Sequence, residues 1–432
     1  MGWNSWNKFY CDVSETLIKQ TADKLVELGL DKLGYNYVNV DDCWMEANRD
    51  SKGHMVPDRK NFPNGMKAVA EYIHEKRLLF GLYSSAGTMT CQKRAGSLNH
   101  EDIDAQDFAD WQVDYLKYDN CYNENVPAIK RYTKMRDALI QTARPIFYSI
   151  CNWGDEDTPS WAPEVGNSWR TTLDIEMNWQ TIERNIEQNN RRADVAGPGG
   201  WNDPDMMEIG NGVLNHEQEK THFALWAAVK APLIIGCDLA KIDKKSLEIL
   251  KNQQLIDINQ DPLGVQAKCV QNCAKKNDRI AVQQNIQVFA GPLENGDTVV
   301  IIVNWNNKPK ALTNIKLDQI GLSGKIQYKV MDLWTGKYLP NLVFRDHFIN
   351  FIKSYDNVAL RFTPVDVERE NQKKKEEEER MREELEKHKK EYEKKKFEDD
   401  IRKETDDEGQ DQNPFIDWEP ENASDEKVFL QL

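Results

Sequence analysis

Carboxylates with cationic neighbours recur in the first half of the chain, each at or just past a short apolar or alternating run. Asp41 and Asp42 follow YNYVNV, Tyr83 falls in LFGLYSS, and Lys117 and Asp119 fall in VDYLKYDNC. Asn152 follows IFYSIC, Arg170 and Asp174 lie in SWRTTLDI, and Asp203 and Asp205 lie in GWNDPDMM. Two neighbouring carboxyl groups with different proton affinities can cleave a glycosidic bond, one attacking the anomeric carbon and the other protonating the leaving oxygen. In YLKYD, side chains alternate across a strand, so Tyr115, Lys117 and Asp119 share a face. An ammonium beside Asp119 would hold it ionised, as an attacking carboxylate must be. A structural Lys–Asp ion pair accounts for the same spacing equally well. Asp174 is a candidate for the second group, with Arg170 four residues earlier to hold it or to bind hydroxyls. The residues alone do not separate Asp174 from Asp203 or Asp205.

These positions need elements to present them on one surface. From the start to about residue 265, strand-like runs alternate with helical ones. The helical stretches fall at 14–30 (Ser14 as cap), 66–77, 101–111, 127–142, 179–188 and 216–230. With GWNSWN (2–7) first and PLIIGCDL (232–239) last, eight strand–helix units are expected, spaced roughly 30–40 residues apart. The sequence thus predicts an α/β fold, a (β/α)8 TIM barrel over 1–266 with its polar residues at the C-terminal strand ends. A doubly wound sheet is the alternative, but no G-x-G-x-x-G follows the first strand.

After INQDPLG the pattern changes. RIAVQQN (279–285), IQVFAGPL (286–293), DTVVIIVNW (297–305), KIQYKVMDLW (325–334) and NVALRFT (357–363) are short and bounded by turns. They predict a C-terminal antiparallel β-sandwich over 275–364. Residues 365–432 form a charged helical or disordered tail, with Met381, Leu385 and Tyr392 at helical spacing but sparse. A solvated single helix or disorder fits this better than a coiled coil. A scaffolding role for the tail would rest on charge alone.

Composition excludes several functions. The formal charge is −15, yet the tail carries 15 Lys and Arg against 25 Asp and Glu, leaving 42 against 47 in the rest. The body is nearly balanced, with no basic face for nucleic acid. No apolar run is long enough to span a membrane, and nothing like a leader peptide is expected at the N-terminus. Eight Cys and seven His show no metal-ligand spacing, so neither metal nor cofactor is expected. Most of the thirteen Trp are ordinary core or rim aromatics.

The motifs GWNSWN, NVDDCW, YLKYDNC, YSICNWG, WRTTLDI, AGPGGWNDPDMM and INQDPLG, in this order, resemble glycoside hydrolase family 27 across residues 1–364. That family comprises retaining α-galactosidases and α-N-acetylgalactosaminidases. The resemblance implies Asp119 as nucleophile and Asp174 as acid/base. It implies Asp41 and Asp42 as ligands of the galactose 4- and 6-hydroxyls, Trp6 as aromatic floor and Tyr83 as a further wall. Lys117 would bind sugar hydroxyls, Arg170 would clamp the 2- and 3-hydroxyl side, and Asp205 would stand at the rim. Cys151 matches a position facing the sugar 2-position, with Asn152 and Trp153 beside it as substrate-binding residues. Bulky, polar residues after YSIC favour galactose over N-acetylgalactosamine. The implied disulfides are Cys11–Cys43 and Cys91–Cys121, with Cys269–Cys273 a weaker candidate and Cys151 and Cys237 unpaired. Such bridges imply an oxidising compartment, secreted or vacuolar/lysosomal. Members usually carry a few strand residues before GWNSW, absent here. Their absence is the best support for a non-catalytic, lectin-like reading of a damaged barrel.

Overall fold

The structure, a computed structural model, describes residues 1–273, 286–312, 317–324, 326–339 and 350–407. The chain divides into a unit Met1–Val365 and a second beginning at Asp366.

The first unit starts with eight parallel strands: β1 (Gly2–Asn4), β2 (Tyr37–Asn39), β3 (Leu79–Ser85), β4 (Tyr115–Asp119), β5 (Phe147–Cys151), β6 (Ser168–Arg170), β7 (Trp201–Asp203) and β8 (Ile234–Ile235). Their order runs β7-β6-β5-β4-β3-β2-β1-β8, and a parallel bridge Met207–Ile235 joins the two ends into a ring. This is the expected TIM barrel. β1 is paired on both sides: Gly2 and Trp3 pair with Tyr37 and Val38 on one side and with Ile234 and Ile235 on the other. The barrel is therefore not damaged at this edge.

Between the strands lie α1 (Trp6–Phe9), α2 (Glu15–Glu27), α3 (Gly65–Glu75), α4 (Glu101–Asp110), α5 (Ala128–Gln141), α6 (Trp179–Asn190) and α7 (His216–Ala228). Local chemistry explains their limits. Ser14 caps α2 by accepting from the Leu17 amide at 3.2 Å, and Ile18, Ala22 and Leu25 put one buried stripe on the barrel. Asn215 and Gln218 form a reciprocal capping box on α7. Except for β3, the strands are shorter than the runs that carry them. In VNVDDCW the ladder stops at Asn39, because the Asp41 and Asp42 carboxylates turn the chain by accepting the next residues' amides, at 2.9 and 2.7 Å. Cys43 follows with φ of 75°. In SWRTTLDI pairing ends at Arg170, so Asp174 stands on a loop rather than on a strand. Three helices escaped the sequence reading: α1, α8 (Lys244–Leu250) and α9 (Gln253–Asn259).

A six-stranded antiparallel sheet follows, built from β9 (Lys268–Gln271), β10 (Ile286–Pro292), β11 (Thr298–Asn304), β13 (Gln327–Asp332), β14 (Lys337–Tyr338) and β16 (Asn357–Val365). β12 (Lys310–Leu312) and β15 (Asn350–Ile352) pair separately. The expected strand 279–285 lies outside the described residues. Alternation decides which face goes where. Val299, Ile301 and Val303 of β11 join the barrel's core, while Val300 and Ile302 pack with Ile286, Val288, Leu360 and Phe362. Burial on both faces is why VVIIV is continuously apolar. Beyond this unit, the helix Val367–Asp407 leaves Met381, Leu385 and Tyr392 exposed.

Ile301 is fully buried on the barrel-facing side of its sheet. Ile301→Ala is expected to cost about 2–5 kcal/mol, read as a lower denaturant midpoint. A loss below about 1 kcal/mol would show that this face is not tightly packed.

Candidate active site

The C-terminal strand ends meet in one cavity, lined by Trp6, Asn7, Asp41, Asp42, Tyr83, Cys91, Lys117, Asp119, Arg170, Asp174, Ile175, Asp205 and Met206. Asp119 and Asp174, which the sequence left on two separate segments, thus share one wall-to-wall space.

Asp119 ends β4 and is almost fully buried. Its Oδ2 accepts from the Tyr83 hydroxyl at 2.8 Å, and its Oδ1 accepts from the Asn120 amide at 2.9 Å. Lys117 does not pair with it. The ammonium donates instead to Asp41 at 2.7 Å, and Asn4 donates to the same Asp41 oxygen at 2.9 Å. Burial, opposed by Lys117 and reinforced by the charge of Asp174, pushes Asp119 up to about 6. The close Lys117–Asp119 pair read from the spacing gives way to Lys117–Asp41. The Lys117 charge still favours ionised Asp119, though burial outweighs it.

Asp174 is the opposite case. Its side chain is 64% exposed, and it faces the Arg170 guanidinium at 3.1 Å. Burial pushes its carboxyl up, but Arg170 and Lys117 together outweigh burial and hold it below the usual range. Arg170 itself is buried and divides its charge, reaching Asp205 at 2.9 Å and the Thr172 carbonyl at 3.1 Å. Asp205 adopts φ of 83° and accepts from the Ile175 and Met206 amides, at 2.7 and 2.8 Å. Burial still raises its pKa. Asp203 accepts from the Asp205 amide at 2.8 Å and is pushed up to about 6 by burial. It shapes this turn from behind the cavity wall.

On the opposite side, Asp42 accepts from the Gln92 amide at 3.0 Å and is raised by burial. The Cys11–Cys43 disulfide fixes the strand end that carries it, and Cys91–Cys121 lines the cavity beside Asp119. Cys269–Cys273 is also bridged, while Cys151 and Cys237 are buried free thiols. Trp6 opens α1, its ring 5.5 Å edge-on from Tyr10.

Three expected substrate-binding residues stand apart from the cavity wall. Cys151 lies behind Arg170, its sulfur 3.6 Å from the guanidinium. Asn152 is occupied in its own loop, donating to the Asp155 carbonyl and the Thr158 hydroxyl, both at 2.8 Å. Trp153 takes φ of 53° at the turn that follows. Conversely, Asn7, Ile175 and Met206 line the cavity without having been singled out. Each is adjacent to a residue that was, so proximity in GWNSWN, TLDI and DPDMM was the available signal. No group of three or more His, Cys, Asp or Glu among the described residues could hold a metal ion.

Comparison with known proteins gives one answer. The sequence profile of the family described as Alpha galactosidase A matches residues 1–261, and that of the Alpha galactosidase C-terminal beta sandwich domain matches 283–362. The chain is 50% identical over 337 residues to Alpha-galactosidase 3 of Arabidopsis thaliana, covering 78% of this chain and 75% of that protein. It resembles the solved structure of alpha-galactosidase I from Mortierella vinacea with a TM-score of 0.78 and 36% identity, over 84% of this chain and 96% of that one. The Saccharomyces cerevisiae α-galactosidase solved with raffinose matches with a TM-score of 0.75 and 34% identity, over 84% and 97%.

The raised Asp119 carboxyl has a consequence for stability. Its protonated form is favoured in the folded state, so the contribution is complete below about pH 4 and is lost as pH rises through about 6. Asp119→Asn cannot ionise. It is expected to be more stable than the parent at pH 7.5 by up to about 3 kcal/mol, with a smaller difference at pH 4.5. Thermal unfolding at the two pH values checks this; an equal difference at both would contradict it.

Proposed function

The chain belongs to glycoside hydrolase family 27 and cleaves terminal, non-reducing α-D-galactosyl groups with retention, and we propose that Asp119 is the nucleophile and Asp174 the acid/base. The observation that carries the assignment is that both line one cavity at the C-terminal ends of the barrel strands. The buried, strand-held Asp119 is positioned to attack from a fixed direction. The exposed, loop-borne Asp174 stands where a leaving group can arrive from solvent.

The remaining roles follow the cavity's geometry. Asp41 and Asp42 present carboxylate oxygens to the 4- and 6-hydroxyls, with Lys117 bonded to the first. Trp6 offers the apolar face that a pyranose C–H surface matches. Tyr83 bonds the attacking carboxylate and Arg170 holds the opposite wall. In the first step Asp119 Oδ attacks the anomeric carbon as its bond to the leaving oxygen breaks, and the Asp174 proton goes to that oxygen. Water, deprotonated by Asp174, then releases galactose from the ester. Cys151, Asn152 and Trp153 act through Arg170 and the loop behind it. In this reading 1–266 is the catalytic domain, 275–364 the sandwich domain and 365–432 an accessory tail, whose coiled-coil pairing is a further proposal.

Oligosaccharides of the raffinose type and galactomannan or glycolipid side chains are the proposed substrates. The three disulfides suit an oxidising compartment, which supports secretion or vacuolar/lysosomal delivery. No described helix is long and apolar enough to cross a membrane. The lectin-like alternative loses its support, because β1 is in place and both carboxylates face the cavity.

Asp119→Asn is expected to lower turnover of nitrophenyl α-galactoside by at least about 10³-fold with an unchanged circular dichroism spectrum. A mechanism-based galactosyl fluoride should label Asp119, and a label elsewhere would refute the assignment. Preference for the N-acetylgalactosaminide over the galactoside would refute the sugar assigned.

A further inference from the structure

Behind the cavity, Glu208 is fully buried among neutral partners. Its Oε1 accepts from Asn7 Nδ2 at 2.5 Å, and its Oε2 accepts from Asn211 Nδ2 at 2.6 Å. Its backbone amide donates to His222 Nε2 at 3.1 Å. Among the described residues, none makes an ion pair with it. A buried, unpaired carboxyl costs stability wherever it stands, so its position calls for a reason beyond packing.

The reason lies in how the barrel closes. β8 is two residues long, and the ring closes on it only through the bridge to Met207, four residues past the end of β7. This is the least-paired seam of the ring, and it separates two segments that line the cavity. Trp6 and Asn7 follow β1; Asp205 and Met206 follow β7, and Asp205 holds Arg170. Asn7 and Glu208 meet across β8, directly over Gly236, where a Cβ would lie 3.0 Å from the Met207 carbonyl oxygen and 3.2 Å from the Asn7 Cβ. Asn211 also reaches the Gly236 carbonyl at 3.4 Å. Side-chain hydrogen bonds thus span a gap that the backbone ladder barely closes.

We propose that Glu208 is a positioning residue for galactoside binding, a clamp that sets the separation between the Trp6–Asn7 wall and the Asp205–Arg170 wall. It touches no reacting atom. It works through Asn7, fixing α1 and with it the aromatic floor against which the pyranose lies. Loosening the clamp should let Trp6 drift from the Arg170 side, weakening contacts to the sugar ring more than the in-line attack of Asp119, which β4 carries independently. Glutamine can serve in its place. Its carbonyl oxygen accepts from Asn7, and its amide donates to Asn211, whose Oδ1 is buried without a partner and faces this group once the carboxamide turns over.

The proposal rests on the α-galactosidase reading, and parent turnover of nitrophenyl α-galactoside tests that reading separately. Glu208→Leu should raise KM and the inhibition constant of free galactose together by about tenfold, with kcat within about threefold of the parent. Glu208→Gln should restore both constants to near parent values. Should the leucine variant fail to fold, Asn7→Ala removes one arm of the clamp while Asn211 still bonds Glu208. It should show the same rise in both constants, and should not add to Glu208→Gln in the double variant. Unchanged KM and galactose inhibition in a folded leucine or Asn7→Ala variant would overturn the proposal. So would a glutamine variant as impaired as the leucine one.

Discussion

Five carboxylates line the cavity and only two cations answer them, Lys117 and Arg170. This imbalance of charge is the constraint from which most of the site's properties follow. Water cannot screen the excess, since all but Asp174 are buried. The site therefore either takes up protons or awaits a positive charge. Both outcomes appear in its chemistry. Asp42, Asp119 and Asp205 are shifted upward by burial, Asp119 to about 6, so each holds a proton more readily than a free carboxyl. The species that best neutralises the excess is the oxocarbenium-like centre formed as the glycosidic bond breaks. A cavity strained by its own negative charge before the reaction is complementary to that centre during it, and this is how differential stabilisation of a transition state is built.

Holding such a site together falls to the barrel and to cross-links that spare it flexible loops. β4 delivers Lys117 and Asp119 from one rigid strand, while the flanking disulfides tie neighbouring loops to strand ends. Backbone amides do the finer work. Those of Asn120, Gln92, Ile175 and Met206 each donate to a cavity carboxylate, adding dipoles where full positive charges are scarce. Replacing those amides by further cations would cancel the charge that the transition state requires. Partial charges satisfy the oxygens while leaving the net field negative.

Much of this was legible in the sequence because it is periodic. The run LFGLYSS became a strand with unchanged limits, and the barrel follows from eight such runs. The carboxylates were visible as polar interruptions at strand ends. What the residues could not convey was pairing. Lys117 lies two positions from Asp119 in sequence, yet it bonds Asp41, which follows β2 two strands away and lines the same cavity. Arg170 was placed with Asp174 by its four-residue spacing, but its stronger partner, Asp205, comes from a different strand end 35 positions later. Short edges such as β12 and β15 were missed for a related reason. Three residues give too little alternation to read, and only the partner strand makes them an element. Asn152 misled by type: a polar side chain at a strand end suits a substrate, and equally suits the turn that it closes.

In the ligand-free site the proton affinities of the two carboxyl groups run opposite to the order that the proposed double displacement uses. Asp119 is raised and Asp174 lowered, whereas attack needs the first charged and the second protonated. The difference is resolved by what holds each group. Asp174 owes its low value to Arg170 and Lys117, which together outweigh burial, and a bound galactoside changes both its cation and its cover. Sugar hydroxyls compete for a guanidinium that already serves Asp205, and the leaving group covers the exposed carboxyl. Each change raises the affinity of Asp174 for a proton. At Asp119 the opposing cation, Lys117, is held by Asp41 and does not depend on the ligand, so its stabilisation of the carboxylate persists. Because the groups interact, a proton gained by Asp174 removes its negative charge from beside Asp119 and so favours the ionised form of Asp119. In the proposed mechanism, substrate binding therefore raises the proton affinity of Asp174 while Asp119 keeps its stabilisation by Lys117, and the exposure of Asp174 in the empty site is what makes it responsive to the leaving group.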